Sequence, residues 1–186
     1  TIRIPSDRTG WVARSYSLST APGIDPLPAI TVKRTRAGYG SNWLCDNAAA
    51  GLTVHVLEPS GVFTPHRWTG TLRLFAAGSG VTPVMSILTT ALAQHDCRVE
   101  LFYANRDPQS VIFEDELDAL GRQHPGRLRV EHWLESERGL PGADDVAAHC
   151  SLPAGDEALV CGPAPFMDLV EHALVRAGVD HHHVHV

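Results

Sequence analysis

Two hydrophobic patterns divide the chain. Up to about residue 65, apolar and polar positions alternate with period two. The stretches are Thr1 to Pro5, "RSYSLS" (14–19), "AITVKRT" (29–35) and "LTVHVLE" (52–58). Period-two alternation sends successive side chains to opposite faces, so these segments predict half-buried antiparallel strands. Turns rich in proline and glycine, such as "APGIDPLP", separate them. One helix interrupts, predicted over Asn42 to Ala50 with Ser41 as its N-cap.

The pattern changes across "PHRWTGT" (65–71). Beyond it, short apolar runs predict buried strands at 72–77, 98–104, 128–134 and 157–161. Between and after them, apolar residues recur at helical spacing. They predict helices over about 83–95, 111–123, 143–149 and 164–177, with Pro83 opening the first and Gly178 just past the last. Strand–helix alternation implies right-handed crossovers and a doubly wound parallel sheet. The fold class expected is therefore β plus α/β: a partial antiparallel barrel over 1–68, then a parallel α/β domain over 69–186.

In such sheets ligands sit beyond the carboxyl ends of the strands. The first of those loops, in "LFAAGSGVTP" (74–83), stops an apolar run at Gly78 and Gly80, with Thr82 and Pro83 opening a helix. Free N–H groups and the positive end of the helix dipole would face an anion there. Pro83 stands where a dinucleotide fingerprint has its third glycine, so a bare strand-to-helix turn is the competing reading. "CGPAPFM" (161–167) repeats the arrangement with Cys161, Gly162 and Pro163. "YANRD" (103–107) ends a strand on Asn105, Arg106 and Asp107, where a ribose hydroxyl or 2′-phosphate would be tested. An arginine suits the phosphate and an aspartate the hydroxyls, which leaves NADH and NADPH both open.

The β half carries two more candidates. In "RSYS" (14–17), Arg14 and Tyr16 share a strand face, a cation beside a ring. The alternative is a solvated edge strand. In "GYGSNWL" (38–44), glycines lead into a helix start, with Lys33, Arg34 and Arg36 upstream. The alternative is an exposed basic strand and a glycine hairpin.

Composition narrows this further. The net charge of -6 argues against non-specific binding to nucleic acid. No apolar run approaches the ~20 residues of a membrane span. The four cysteines, at 45, 97, 150 and 161, form no CxxC pair and no metal cluster, which favours reduced thiols in a cytoplasmic protein. No metal site is expected. In "HHHVHV" (181–186), His181, His183 and His185 would share one face of a solvated strand, with His182 on the other.

Taken in order, "RSYS", "GYGSNWL", "AAGSGVTP", "YANRD" and "CGPAPFM" resemble the ferredoxin–NADP reductase superfamily, over nearly the whole chain. "GYGSNWLCD", "HWLES" and "NRDPQSVIF" look especially like reductases of the 3-ketosteroid 9α-hydroxylase and phenylacetate type. The resemblance implies that residues 1–68 bind FAD and 69–186 bind NADH or NADPH. Arg14 would hold the FAD pyrophosphate, Tyr16 would cover the isoalloxazine face, and Ser17 would hydrogen-bond near flavin N5. Gly40, Ser41 and Asn42 would hold FAD phosphates, and Lys33 would lie near the ribityl or adenosine portion. Gly78, Gly80 and Thr82 would hold the nicotinamide cofactor, with Thr82 facing the flavin. Asn105 and Arg106 would contact its adenosine ribose, and Cys161, Gly162 and Pro163 would flank the nicotinamide. Ser17, Tyr16, Cys161 and Thr82 are thereby the expected residues at the reacting rings.

The implied activity is hydride transfer from NAD(P)H to FAD, then single electrons to a [2Fe–2S] centre serving an oxygenase component or ferredoxin. Both ends read as cut. Barrel strands are expected upstream, and a [2Fe–2S] domain beyond 186, since this chain has no C-x₄-C-x₂-C run. Two alternatives stand beside this reading. One is a non-catalytic nucleotide-binding or electron-transfer subunit without a working flavin site. The other is the reductase half of a flavohaemoglobin-like fusion.

Overall fold

The structure is a computed structural model that describes residues 1–151, 153 and 156–186. Its chain forms two sheets. The first is antiparallel, ordered β2-β1-β3, from β1 (Ile2–Ser6), β2 (Gly10–Arg14) and β3 (His55–Val56). In the β1–β2 hairpin Ile2 lies opposite Arg14 and Ser6 opposite Gly10. Alternation along β1 turns Ile2 and Ile4 inward, where they meet Leu44 of helix α1 (Tyr39–Asn47).

This half is less regular than its sequence pattern predicts. The expected strands at 14–19 and 29–35 reduce to a single bridge between Leu18 and Ile30, and 52–58 keeps only His55 and Val56 in a strand. Period-two alternation needs a paired neighbour to become a ladder, and few neighbours are present. Helix α1 begins three residues before the predicted start, because Gly38 and not Ser41 is its N-cap. The Ser41 hydroxyl instead accepts the Thr35 N–H at 3.1 Å and donates to the Gly38 carbonyl at 3.3 Å.

The second sheet is parallel throughout, ordered β6-β5-β4-β7-β8. Its strands are β4 (Thr71–Ala77), β5 (Arg98–Asn105), β6 (Leu128–Leu134), β7 (Glu157–Cys161) and β8 (Val184–His185). The central strands β4, β5 and β7 are buried on both faces, which is why they read as continuous apolar runs. Helices α2 (Val81–Gln94) and α3 (Glu114–Gln123) cover one face, packing on Leu74, Leu101 and Tyr103. Helices α5 (Ala143–Ala147) and α6 (Ala164–Arg176) cover the other, packing on Phe75, Phe102 and Val160. The short α4 (Glu135–Arg138) follows β6 directly.

Helix ends follow local chemistry. Gly178, at φ +81°, closes α6 as predicted; its N–H reaches the Val175 carbonyl and that of Val179 the Leu174 carbonyl. The guanidinium of Arg127 donates to the carbonyls of Ala91, Leu92, His95 and Cys97, satisfying the C-terminus of α2. The predicted strand over 181–186 is instead a 3₁₀ turn at His181–His183 followed by β8. Asp180 causes this by accepting the His182 N–H, so His181, His183 and His185 do not share a strand face. Among the described residues no helix is long and apolar enough to cross a membrane.

Candidate functional site

Sheet order reverses between β4 and β7, which makes their carboxyl ends the switch-point crevice at which open α/β sheets bind ligands. Two glycine turns meet there. Gly78 takes φ +53°, and Gly78–Gly80 forms a 3₁₀ turn before α2 starts at Val81. Pro83 thus sits inside the first helical turn rather than at its first position. A Cβ on Gly80 would lie 2.0 Å from the Cys161 carbonyl oxygen, and one on Gly162 would lie 2.9 Å from the Ala77 Cβ. The two turns interlock through bare backbone, leaving the amino end of α2 directed into the crevice.

The side chains around these turns are already committed. Buried Thr82 donates its hydroxyl to the Ser79 carbonyl at 3.0 Å. Cys161 is half-buried, and burial pushes its thiol above the usual range, so it stays neutral at physiological pH. Pro163 caps α6 from an exposed position. The pattern reading missed Tyr103. Its hydroxyl accepts the Ile112 N–H at 3.1 Å and lies 3.2 Å from the Gly78 carbonyl, which it can donate to. A fully buried phenol inside an apolar strand was the available signal, since such a hydroxyl needs a partner.

At the end of β5, Asn105 is 6 % exposed beside the Tyr103 hydroxyl, and neither amide atom makes a hydrogen bond of good geometry among the described residues. Leaving a buried amide unpaired costs about 1–3 kcal/mol, so this position holds an unmet demand for donor and acceptor at the crevice edge. Exposed Arg106 donates to Asp107 at 3.0 Å, and that bond lowers the Asp107 carboxyl below its ordinary value. Ser110 closes the turn onto Asp107.

The β half supplies the facing wall. A Cβ on Gly40 would lie 2.8 Å from Arg14 Cγ, 2.9 Å from Ile4 Cδ1 and 3.5 Å from the Tyr16 hydroxyl. Arg14, Tyr16 and the start of α1 are therefore brought together. Burial raises the Tyr16 phenol, and Ser17 is exposed beside it. Asn42 is engaged inside the protein, donating to the carbonyls of Gly38 and Thr35 and accepting from Arg34. With Ser41 also engaged, the open donors at this helix start are backbone N–H groups.

Lys33 links the halves. Its Nζ lies 3.6 Å from the Cβ position of Gly78 and 3.5 Å from the Ser110 carbonyl. Ser86 of α2 donates to the Thr20 carbonyl at 2.8 Å. Lys33 and Thr20 of the β half thus lie against the turn after β4, the Ser110 turn and helix α2.

This geometry defines a doubly wound nucleotide-binding unit whose switch-point crevice is walled by a second, β-rich unit. Residues 74–172 match the oxidoreductase NAD-binding domain family, and the chain belongs to that family. It is 57% identical over 185 residues to the ferredoxin reductase component of 3-ketosteroid-9-alpha-monooxygenase from Rhodococcus rhodochrous, covering 100% of this chain and 53% of that protein. A component of the 1,2-phenylacetyl-CoA epoxidase from Escherichia coli K12 is 32% identical over 174 residues, with 85% and 49% covered. The resemblance drawn from the five motifs is thus borne out. Flavohemoglobin from Malassezia yamatoensis superposes with a TM-score of 0.84 at 23% identity, over 99% of this chain and 49% of that one, a likeness of fold. The chain spans about half the length of the curated relatives it matches.

Proposed function

We propose that the chain is the flavin- and nicotinamide-binding core of an oxygenase reductase, with residues 1–68 holding FAD and 69–186 holding NADH. Bound together, the two cofactors supply hydride transfer from nicotinamide to flavin and single-electron release to a [2Fe–2S] centre. That centre lies in a part of the protein outside these residues, and it serves an oxygenase component or a ferredoxin. The relatives' names point to a steroid-ring or aromatic-compound hydroxylase as the destination. The reading places the protein in the cytoplasm, with the reduced nicotinamide pool.

The observation that carries this is the crevice itself. Two backbone cradles, at 78–80 and 161–162, open at the switch point, and Lys33 ties the β unit to the first of them. The residues fit the cofactors. Gly78, Gly80 and the start of α2 hold the nicotinamide cofactor's pyrophosphate, and the orphaned Asn105 amide takes its ribose, with Arg106 beside it. Asp107, kept ionised by Arg106, accepts ribose hydroxyls and disfavours a 2′-phosphate, which favours NADH. Gly40, Ser41 and Asn42 offer the helix start to FAD phosphate, with Arg14 as the counter-charge. Tyr16 covers one ring face, and Ser17 supplies a hydroxyl at the reacting edge. Thr82 holds the turn through Ser79, while Cys161, Gly162 and Pro163 flank the nicotinamide ring. Position and electrostatics suffice for hydride transfer, and no general base is required.

Stopped-flow mixing of the full-length protein with NADH or NADPH tests this. Rapid bleaching of the flavin band with NADH, and slower bleaching with NADPH, is expected. A flavin that neither nucleotide bleaches overturns the reading.

A further inference from the structure

Far from the crevice, three metal-ligand side chains converge. Glu157 opens β7, four residues or roughly 13 Å of strand from Cys161 at the crevice end. It is 1 % exposed. Its Oε2 accepts the His66 backbone N–H at 2.7 Å and meets His185 Nε2 at 3.0 Å. The His66 and His185 rings touch edge to face, with centroids 4.6 Å apart. One ligand atom from each of His66, Glu157 and His185 lies within 4.8 Å of the others. Two imidazoles and a carboxylate are a donor set suited to zinc.

Buried carboxylates need a compensating cation. Among the described residues, the ion pairs of Glu157 include no lysine or arginine, only the imidazole of His185. We propose that His66, Glu157 and His185 form a Zn²⁺ site with three protein ligands, its fourth position taken by water. Tetrahedral bonds of about 2.0–2.1 Å place ligand atoms roughly 3.3 Å apart. The exposed His66 ring closes that gap by turning, while the buried pair stays in place. The ion would pin the connection between the two units, at residue 66, to strands β7 and β8. The proposal is independent of the flavin reading.

Tag-free, chelator-stripped full-length protein is titrated with Zn²⁺ by calorimetry, and with Co²⁺ as a visible-spectrum reporter. One equivalent is expected to bind, with a tetrahedral Co²⁺ spectrum. A hundredfold excess over Kd should raise Tm by roughly 4 °C. His66→Ala removes an exposed ring, so it folds; it should weaken binding at least tenfold, and Glu157→Gln should abolish it. The exposed cluster of Asp180, His181 and His182 is the control. Absence of uptake overturns the proposal. So does uptake that survives His66→Ala, or uptake lost in a His181→Ala, His182→Ala double variant.

Discussion

The two halves bury their apolar side chains to very different extents. In the α/β half, two cores sandwich the parallel sheet, and Leu72, Leu88, Val99, Leu159 and Val170 are fully enclosed. The apolar cluster of the β half is built on Ile2, Ile4 and Leu44, and this half leaves Trp11, Val56, Leu57 and Val62 open to solvent. Parallel strands covered on both faces make a self-sufficient core. The three-stranded antiparallel sheet has a much smaller core, and it contacts its neighbour through Lys33, Thr20 and Pro22. The switch-point crevice therefore has one wall built on a deeply buried core, and the other side is held by the contact between the halves.

The largest effect that sharpens this contrast is expected at the interlocked turns. Gly80→Ala drives a Cβ into the Cys161 carbonyl, a backbone atom that cannot swing aside. It should cost about 3 kcal/mol or more. NADH affinity should fall at least tenfold as the turns separate, read by urea unfolding and nucleotide titration. A variant with unchanged affinity would break the claim that close backbone approach shapes the crevice.

Core truncation comes next. Leu88→Ala should cost about 3–4 kcal/mol, and Ile4→Ala nearer 2 kcal/mol, because the thinner β core can collapse around the smaller side chain. Denaturant melts of the two variants measure the difference. Equal losses would mean the β half is as tightly packed as the α/β half.

The smallest effect is a titration. Burial pushes the Cys150 thiol up to about 11 from 9.0, so the fold favours its neutral form. That contribution is complete below pH 9 and is lost as pH rises from 9 towards 11. Stability should decline over that window, and Cys150→Ala should flatten the decline in unfolding curves taken at each pH. An unchanged slope would place the thiol in a wetter setting than its packing indicates.

Much of this was legible beforehand, for uneven reasons. The buried strands at 72–77, 98–104, 128–134 and 157–161 announced themselves as apolar runs, and the structure has them within a residue or so. The glycine turns were readable because only glycine tolerates such backbone contact. The strands at 14–19 and 29–35 were over-read, since alternation states a preference that only a pairing neighbour fulfils. The α1 cap was misplaced because Ser41 and Gly38 both satisfy local capping rules, and the Thr35 N–H claimed the serine hydroxyl.

By itself, then, the amino-acid order determined what depends on near neighbours: the element types, the parallel sheet, and the glycines at its carboxyl edge. Tertiary structure alone decided what depends on residues distant in sequence. It set Cys161 against Gly80, aimed Lys33 at Gly78, left the Asn105 amide unpaired, and gathered His66, Glu157 and His185. Periodicity encodes which face a side chain takes, whereas the side chain it meets there is fixed only when the sheet closes the distance.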